Sequence, residues 1–566
     1  MRLNELANRV IDTDLLVVGG EGGGARAAIE ACKYDLQVII VTKGRIGKCG
    51  ATVTAGADVE VDSKSVCELF GLPGDPKDSK DILFQDIVKE GKYVNDQSLV
   101  EVHVQDAAMR VKELVDWGMK IRGLFKNPGH SYTRGLLTTG REIVTALGRE
   151  IKRNADRIEV VEDTLVTDLL TSNGRVVGAT ALDLCTGEFI VFRAKAVVLA
   201  TGSALRLYPY TTGPDDLTGD GSAMAYRAGA EFIDMQFVQF LPSAFTFPPL
   251  VVTSVNRLLQ RKCAYLLNKF GERFMEKWDP ERMEGSTRDL KCIGIMNEIL
   301  EERGAYLSLK HLPNNIIDEM RKQRYTLYGA DKDYWDRLKE NAVEVFPASH
   351  FFCGGIKINT ACETTIPGLY AAGEVAGALH GANRLTGNAI PHVLVQGARA
   401  GKSAAEYATK MRSLEINVQQ VEKSKSKVYS PLKGEDGVSP IKLKKGLQQL
   451  AWEDVGVMRD GSRLERAIQE IEKIRMKQLP RVFTISKEQR YNKEWIDALQ
   501  VENMLTVLKL IAKSAFYRTE SRGNHYRKDY PFQNKEWLVN VIARLVGTDM
   551  QLTTQPLTIT KVTPPG

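Results

Sequence analysis

The run Gly19-Gly20-Glu21-Gly22-Gly23-Gly24 is the first place where residue type and spacing imply chemistry. Glycines let backbone N–H groups close on a ligand, and a helix that begins there presents its positive end, so the run suits a pyrophosphate. Counted from Gly19, the G-x-G-x-x-G spacing meets Glu21 where its second glycine belongs and Gly24 in the third place. A carboxylate beside a pyrophosphate is unfavourable unless its side chain points away. A glycine-rich turn in another kind of α/β domain is the plainer reading of the same residues. The eight cysteines (Cys32, Cys49, Cys67, Cys185, Cys263, Cys292, Cys353 and Cys362) include no C-x-x-C pair. That argues against a disulfide scaffold, a zinc ribbon or an iron–sulfur cluster held by this chain alone. Scattered thiols in a large chain read as reduced, which places it in the cytoplasm.

The elements needed to position the turn are present. Asp14–Val18 is a short apolar run typical of a buried parallel strand, Ala25–Ala31 is rich in helix formers, and Val38–Val41 reads as a second strand. Strand, glycine turn, helix and strand within about thirty residues form the unit that seats a dinucleotide. Ala196–Ala200 is a third apolar run, ending in Thr201-Gly202. Between them, Glu159 to Phe192 alternates around a turn at Asn173-Gly174, an antiparallel meander inserted into the α/β domain. Val421 to Lys445, with seven lysines and two prolines, reads as a solvated linker, with a basic docking surface as the alternative. Leu447–Gln478 and Glu494–Ala515 carry helical periodicity.

The 566 residues correspond to roughly three to five domain-sized units, and 43% hydrophobic with 26% charged residues is an ordinary globular composition. With 77 basic and 71 acidic residues the net charge is +6, without a long basic run, so nucleic acid is not an expected partner. No uninterrupted apolar stretch approaches the roughly 18 residues of a transmembrane helix, and Met1 to Asp14 lacks the apolar core of a secretion signal.

Three long signatures follow one another. Thr218-Gly219-Asp220-Gly221, Arg227–Ala230 and Asp234–Phe240 match TGDG…RAG…DMEFxQF. Gly368–Glu374 and His380–Asn388 match GLYAAGE…HGANRLGGN, and Arg518–Arg527 with Asp529–Pro531 match RTESRGAHYREDYP. The chain resembles, from about residue 12 to about residue 550, the flavoprotein subunits of succinate dehydrogenase and fumarate reductase, together with L-aspartate oxidase. The resemblance implies an α/β fold: an FAD-binding Rossmann-like domain (1–240 and 350–425) with an inserted capping domain (241–349), a C-terminal helical domain (440–545) and a tail (546–566). It implies FAD contacts from the Gly19–Gly24 turn, Lys43, Ala51, Thr52, Thr201, Gly202, Asp220, Glu374 and Asn388. The alanine–threonine–glycine strand end is one that many two-dinucleotide-binding flavoproteins place beside the cofactor. Glu374 is suited to accept hydrogen bonds from a ribose or ribityl hydroxyl. Respiratory members tether FAD through a histidine in S-H-T-x-x-A-Q-G-G. The segment here is Gly50–Ala57 with Ala51 in that column, so the FAD is expected to be noncovalent. Cys49 is the alternative anchor, its plainer reading being a small polar neighbour of the flavin.

The resemblance also implies a substrate constellation for a carboxylate beside flavin N5. Arg384 lies in the HGANR motif, where a guanidinium fork suits bidentate carboxylate recognition. His350 matches H-Y-x-M-G-G as an anion ligand, with a packed core histidine as the alternative. Elsewhere the pattern breaks: Q-F-H-P reads Gln239-Phe240-Leu241-Pro242, and V-T-E-G-x-R reads Val252-Thr253-Ser254-Val255-Asn256-Arg257. Counted from Thr253, the proton-donating arginine falls on Arg257. Counted back from Tyr265, the column shifts by about three residues to Gln260, with Arg261 as the runner-up for the role. Ser254 replaces a glutamate that relays protons, so simple fumarate reduction is in doubt.

Three readings follow. The first is a catalytic flavoprotein subunit that moves hydride between flavin N5 and a carboxylate- or thioester-activated substrate and exchanges electrons with a separate iron–sulfur subunit. The second is an L-aspartate-oxidase-like enzyme, suggested by Gly129–Ser131 and Thr139–Glu142. The third is a flavin electron-transfer subunit with a degenerate substrate site. The expected location is cytoplasmic, or peripheral on the inner face of a membrane through partner subunits, with no transmembrane segment of its own.

Overall fold

The computed structural model describes residues 3–56, 58–245, 250–251, 264–322, 339–412 and 414–565. Across its main, seven-stranded sheet run Ile158–Val161, Val38–Val41, Arg9–Val18, Phe189–Leu199, Arg175–Asp183 and Thr164–Ser172, with Leu369–Ala371 pairing at the end of Phe189–Leu199. The first four of these strands and Leu369–Ala371 are parallel, and the 164–183 hairpin continues the sheet antiparallel. Leu15, Leu16, Val17 and Val18 are buried in succession because helices cover both faces of a parallel sheet. The hairpin turns at Asn173 and Gly174, both with positive φ, as a two-residue turn between right-twisted strands requires. The Gly22–Ala31 and Ala389–Ala408 helices touch backbone to backbone: a Cβ on Gly401 would overlap the Ala27 carbonyl oxygen.

The inserted unit has its own apolar core, including Leu266, Phe274, Met275, Ile295, Leu307 and Val345. Its sheet is entered by Val238–Phe245 and left by Val343–Phe352, which pair antiparallel. Gln239 faces Phe351 and Phe240 faces Ser349, so the register skips His350. A bulge of this kind re-aims one side chain without breaking the ladder, and here that side chain is His350.

Two expectations are corrected beyond residue 412. The stretch expected as a solvated linker contains the Val418–Lys433 helix, with Pro431 inside it, and Pro440 then opens the Pro440–Val455 helix behind a Ser439 cap. The lysines hide its periodicity: Val421, Ser424, Val428 and Pro431 are buried along one face while lysines line the other. The indole N–H of Trp495 fixes that face by donating to the Val428 carbonyl (2.7 Å). The segment expected as a tail carries Asp549–Pro556, which pairs with Val539–Val546 in a hairpin attached to Phe232–Ile233. Gln97 Oε1 then accepts the N–H groups of Thr560, Lys561 and Val562, anchoring the chain end. Among the described residues no helix is long and apolar enough to cross a membrane.

Candidate functional site

The carboxyl ends of four parallel strands converge on one cavity of about 850 Å³, at the place where an open α/β sheet binds its ligand. Gly19, Gly20, Glu21, Gly22, Gly23, Lys43, Ala51, Thr52, Thr201, Gly202, Asp220 and Glu374 all line it. Gly24 lies behind the wall for a packing reason, since a Cβ there would overlap the Gly19 carbonyl oxygen and prise the helix from its strand. Asn388 is also behind the wall. Its Nδ2 holds the Leu385 and Thr386 carbonyls (3.4 and 3.2 Å) and its Oδ1 meets His103 Nε2 (3.1 Å), so it braces the loop that precedes the Ala389–Ala408 helix.

Glu21 turns aside from the helix N-terminus. Its Oε1 accepts the Gly47 N–H (2.9 Å), and burial, reinforced by Asp216, pushes its carboxyl up to about 8 against that hydrogen bond. At neutral pH it is protonated, which removes the conflict with an anion at Gly22–Gly24. Lys43 pairs with Asp220 (2.6 Å) and donates to Thr218 (2.9 Å), while Asn503, from the long Lys493–Tyr517 helix, donates to the other Asp220 oxygen (2.9 Å). Burial raises the Asp220 carboxyl, but Lys43, Asn503 and Thr218 together hold it below the ordinary carboxylate range. Glu21 Oε2, Asp216 Oδ1 and Thr201 Oγ1 are buried on this cavity with no partner among the described residues. Backbone cradled by glycine, a helix N-terminus and three unmatched polar atoms fit a dinucleotide with hydroxyl donors.

A second cavity of about 1120 Å³ shares Ala51, Thr52, Glu374 and Val393 with the first, so the two are continuous. Ala51 stands at the junction, and no histidine occupies it. Glu374 Oε1 accepts from Ser203 Oγ (2.8 Å) and Phe352 N–H (2.9 Å), and burial still pushes its carboxyl up to about 7. His350 faces the second cavity with Nδ1 against Thr212 Oγ1 (2.7 Å), and burial, Arg384 and Arg288 keep its ring neutral. Arg384 is buried, its guanidinium lies 4.5 Å from the Phe351 ring centre, and its Nε has no partner among the described residues.

Arg288 is the residue that sequence reasoning missed. It opens the Arg288–Leu300 helix and faces the same cavity, donating from Nη1 to Gln239 Oε1 (3.2 Å), with Nε unpartnered among the described residues. Burial, then the charge on Arg384, lowers its pKa to about 9. Neither guanidinium has an ion pair among the described residues. The one signal that points to Arg288 is its oddity: a cation in the first turn of a helix, directly after Ser286-Thr287, opposes the helix dipole. Thr253, Ser254, Arg257 and Arg261 lie outside the described residues. Leu241 contributes an alkyl wall to the cavity. Of the aspartate-oxidase-like markers, His130 and Ser131 are spent behind the wall on the Thr386 carbonyl (2.9 Å) and Asp86 (2.8 Å).

A parallel α/β sheet with a dinucleotide cradle joined to a cationic cavity under an inserted cap defines an FAD-dependent oxidoreductase. Comparison with known proteins agrees. Residues 14–390 match the family described as FAD binding domain, and residues 444–566 match fumarate reductase flavoprotein C-term. An FAD-dependent oxidoreductase of Methanocaldococcus jannaschii is 38% identical, covering 94% of this chain and 96% of that protein. One of the subunits of the fumarate reductase (CoM/CoB) of Methanothermobacter marburgensis is 34% identical over 95% of this chain and 98% of its own length. The solved structure of Mycobacterium smegmatis Sdh1 in complex with UQ1 superposes with a TM-score of 0.86 at 31% identity, covering 98% of this chain and 96% of that one. The chain belongs to the succinate dehydrogenase/fumarate reductase flavoprotein family.

Proposed function

We propose that the chain is the catalytic subunit that adds or removes hydrogen across a bond next to a carboxylate or thioester carbonyl, in the second cavity. The observation that carries this reading is the pair of guanidiniums, Arg384 buried and Arg288 half-buried with its Nε shielded from water, facing a cavity continuous with the dinucleotide cradle, each with an unmatched Nε and no ion pair among the described residues. Two cations so largely withdrawn from water, side by side, are costly unless a ligand supplies the negative charge. FAD, when bound noncovalently by the Gly19–Gly23 turn, Lys43 with Asp220, Thr201 and Glu374, supplies a two-electron hydride donor or acceptor.

The remaining roles belong to the chain. Arg384, clamped on Phe351, holds the substrate carboxylate with its fork. His350, fixed through one ring nitrogen by Thr212, offers the other as a neutral hydrogen-bonding group to the same anion. Arg288, whose pKa of about 9 makes it far more acidic than a free guanidinium, gives a proton to the substrate carbon in reduction and takes it back in oxidation. This moves the donor role expected of Arg257 to Arg288. Leu241 and the rest of the apolar wall favour a substrate whose far end is less charged or bulkier than that of a C4 dicarboxylate. Electrons reach or leave the chain through a separate iron–sulfur subunit. The relative named as one part of a fumarate reductase supports such a division of labour. We place the complex in the cytoplasm.

The test uses the FAD-loaded protein, reduced anaerobically and mixed with fumarate, crotonate, an enoyl thioester or iminoaspartate generated in place. Reoxidation of the flavin by the monocarboxylate or thioester, faster than by fumarate, is the expected result. Reoxidation by none of them, with dye-mediated electron transfer intact, would favour a degenerate substrate site.

A further inference from the structure

Arg288 ends a hydrogen-bonded chain of four side chains. Its Nη1 donates to Gln239 Oε1 (3.2 Å), Gln239 Nε2 donates to Asn383 Oδ1 (2.7 Å), and Asn383 Nδ2 donates to Glu90 Oε1 (2.7 Å). The two amides are buried and fixed from their flanks. Gln239 Nε2 also reaches the Arg384 carbonyl (3.1 Å), and Asn524 Nδ2 also donates to Asn383 Oδ1 (3.1 Å). Each amide therefore presents its oxygen toward the guanidinium and its nitrogen toward the carboxyl, the polarity expected between a cation and an anion. Glu90 is the last residue of the Lys80–Glu90 helix, where the helix dipole disfavours a negative charge, so its own helix does not explain a carboxylate there.

We propose that Glu90 is a positioning residue for Arg288: through Asn383 and Gln239 it orients the guanidinium, and its ionisation sets how readily Arg288 gives up a proton. This rests on the reading of Arg288 as proton donor. The charged groups facing Glu90 are Lys92 beside it, Arg288 and Asp289 at the start of the Arg288–Leu300 helix, and Arg282 before that helix. Burial, with help from Asp289, pushes the Glu90 carboxyl up to about 7 against the three cations. Below that pH it is neutral, and Arg288 is held in its low-pKa state by burial and Arg384. Above it, the ionised carboxylate strengthens the hold of Arg288 on its proton. Proton donation to substrate therefore weakens as pH rises through about 7. The coupling is electrostatic and needs no proton to cross the amides. Glu374 titrates in the same range and lines the same cavity, so a wild-type pH profile alone does not assign the group.

The experiment is an infrared pH titration of the FAD-loaded protein, reading the protonated-carboxyl band in wild type minus Glu90→Gln. The expected difference band titrates near pH 7. In the Arg288→Gln background its midpoint should rise by about one pH unit, the scale of losing one nearby charge. Arg288→Lys keeps the charge and should bring the midpoint back toward the wild-type value, which separates a charge effect from a repacked cavity. A midpoint unmoved by Arg288→Gln, or the absence of a Glu90 band in this range, would overturn the proposal. No substrate enters these measurements, so they stand or fall apart from the reaction proposed above.

Discussion

Arg384→Ala tests the substrate site most directly. Arg384 lines the second cavity and not the dinucleotide cradle, so the variant should retain FAD. Losing one partner of a buried, hydrogen-bonded charge pair costs roughly 2–5 kcal/mol, which at 1.36 kcal/mol per decade is a fall of about 30- to 5,000-fold in kcat/KM. A second effect follows from geometry. Arg384 is, after burial, the main influence lowering the pKa of Arg288, so its removal should make Arg288 a weaker acid. The loss should therefore appear in kcat as well as KM, and the alkaline limb of the rate profile should move to higher pH. Anaerobic stopped-flow reoxidation of the reduced flavin, over a range of substrate concentrations and pH, measures both. A flavin-replete variant with near-normal kcat/KM would remove Arg384 from the substrate site and would take with it the argument from paired guanidiniums.

Acid precipitation should release all yellow chromophore to the supernatant. Ala51 offers no tether, and burial pushes the Cys49 thiol up to about 11, so it lacks the thiolate a covalent link would need; fluorescence kept by the denatured chain would refute this. Leu241→His should tighten fumarate binding about tenfold at pH 6 by replacing an alkyl wall with an ionisable donor, and wild-type fumarate turnover of many per second at micromolar KM would show that the wall does not select. Glu21, Glu90 and Glu374 should each withdraw stability from the apoprotein as pH rises from about 4.5 to the folded-state value of each, about 8 for Glu21, because they bind protons in the folded state at pH values where the unfolded chain has released them, while the buried neutral His103, His130 and His392 act in the opposite sense below about 6.5. Glu21→Gln should remove the share that belongs to Glu21, a gain of a few kcal/mol over the wild type at pH 8 that shrinks toward pH 4.5, and a difference in thermal midpoint between the two proteins that does not vary with pH would refute the assignment.

The dinucleotide half of the molecule is legible in the chain because it is local. Asp14–Val18, the glycine turn and the next strand are contiguous and their parallel register brings their ends together, while Thr201, Asp220 and Glu374 arrive from later segments that the signatures mark. The exceptions are instructive. Asn388 sits in a signature and Gly24 in the spacing, yet both act one layer behind the cavity, on the Thr386 loop and on the packing of the helix against its strand. A motif marks a position that cannot vary freely, and it does not say whether the side chain faces the ligand.

The substrate half is assembled from segments that lie far apart in the chain, and there spacing carries less. His350 and Arg384 are found by signature, but what aims His350 is a register skip opposite Gln239 and Phe240, which no single strand encodes. Arg288 has no glycine frame or alternation around it. It becomes visible only when the helix it opens lays it beside Arg384 and lowers its pKa. Glu90 is more remote still, tied to Arg288 through amides from two other segments of the chain. The broken motif at Leu241 and Ser254 reads, in sequence, as a loss of charge from the site. The structure brings a second guanidinium, Arg288, to the cavity that Leu241 lines, from another element, so the cavity is cationic and the selectivity question becomes which anion fits two arginines and one apolar wall.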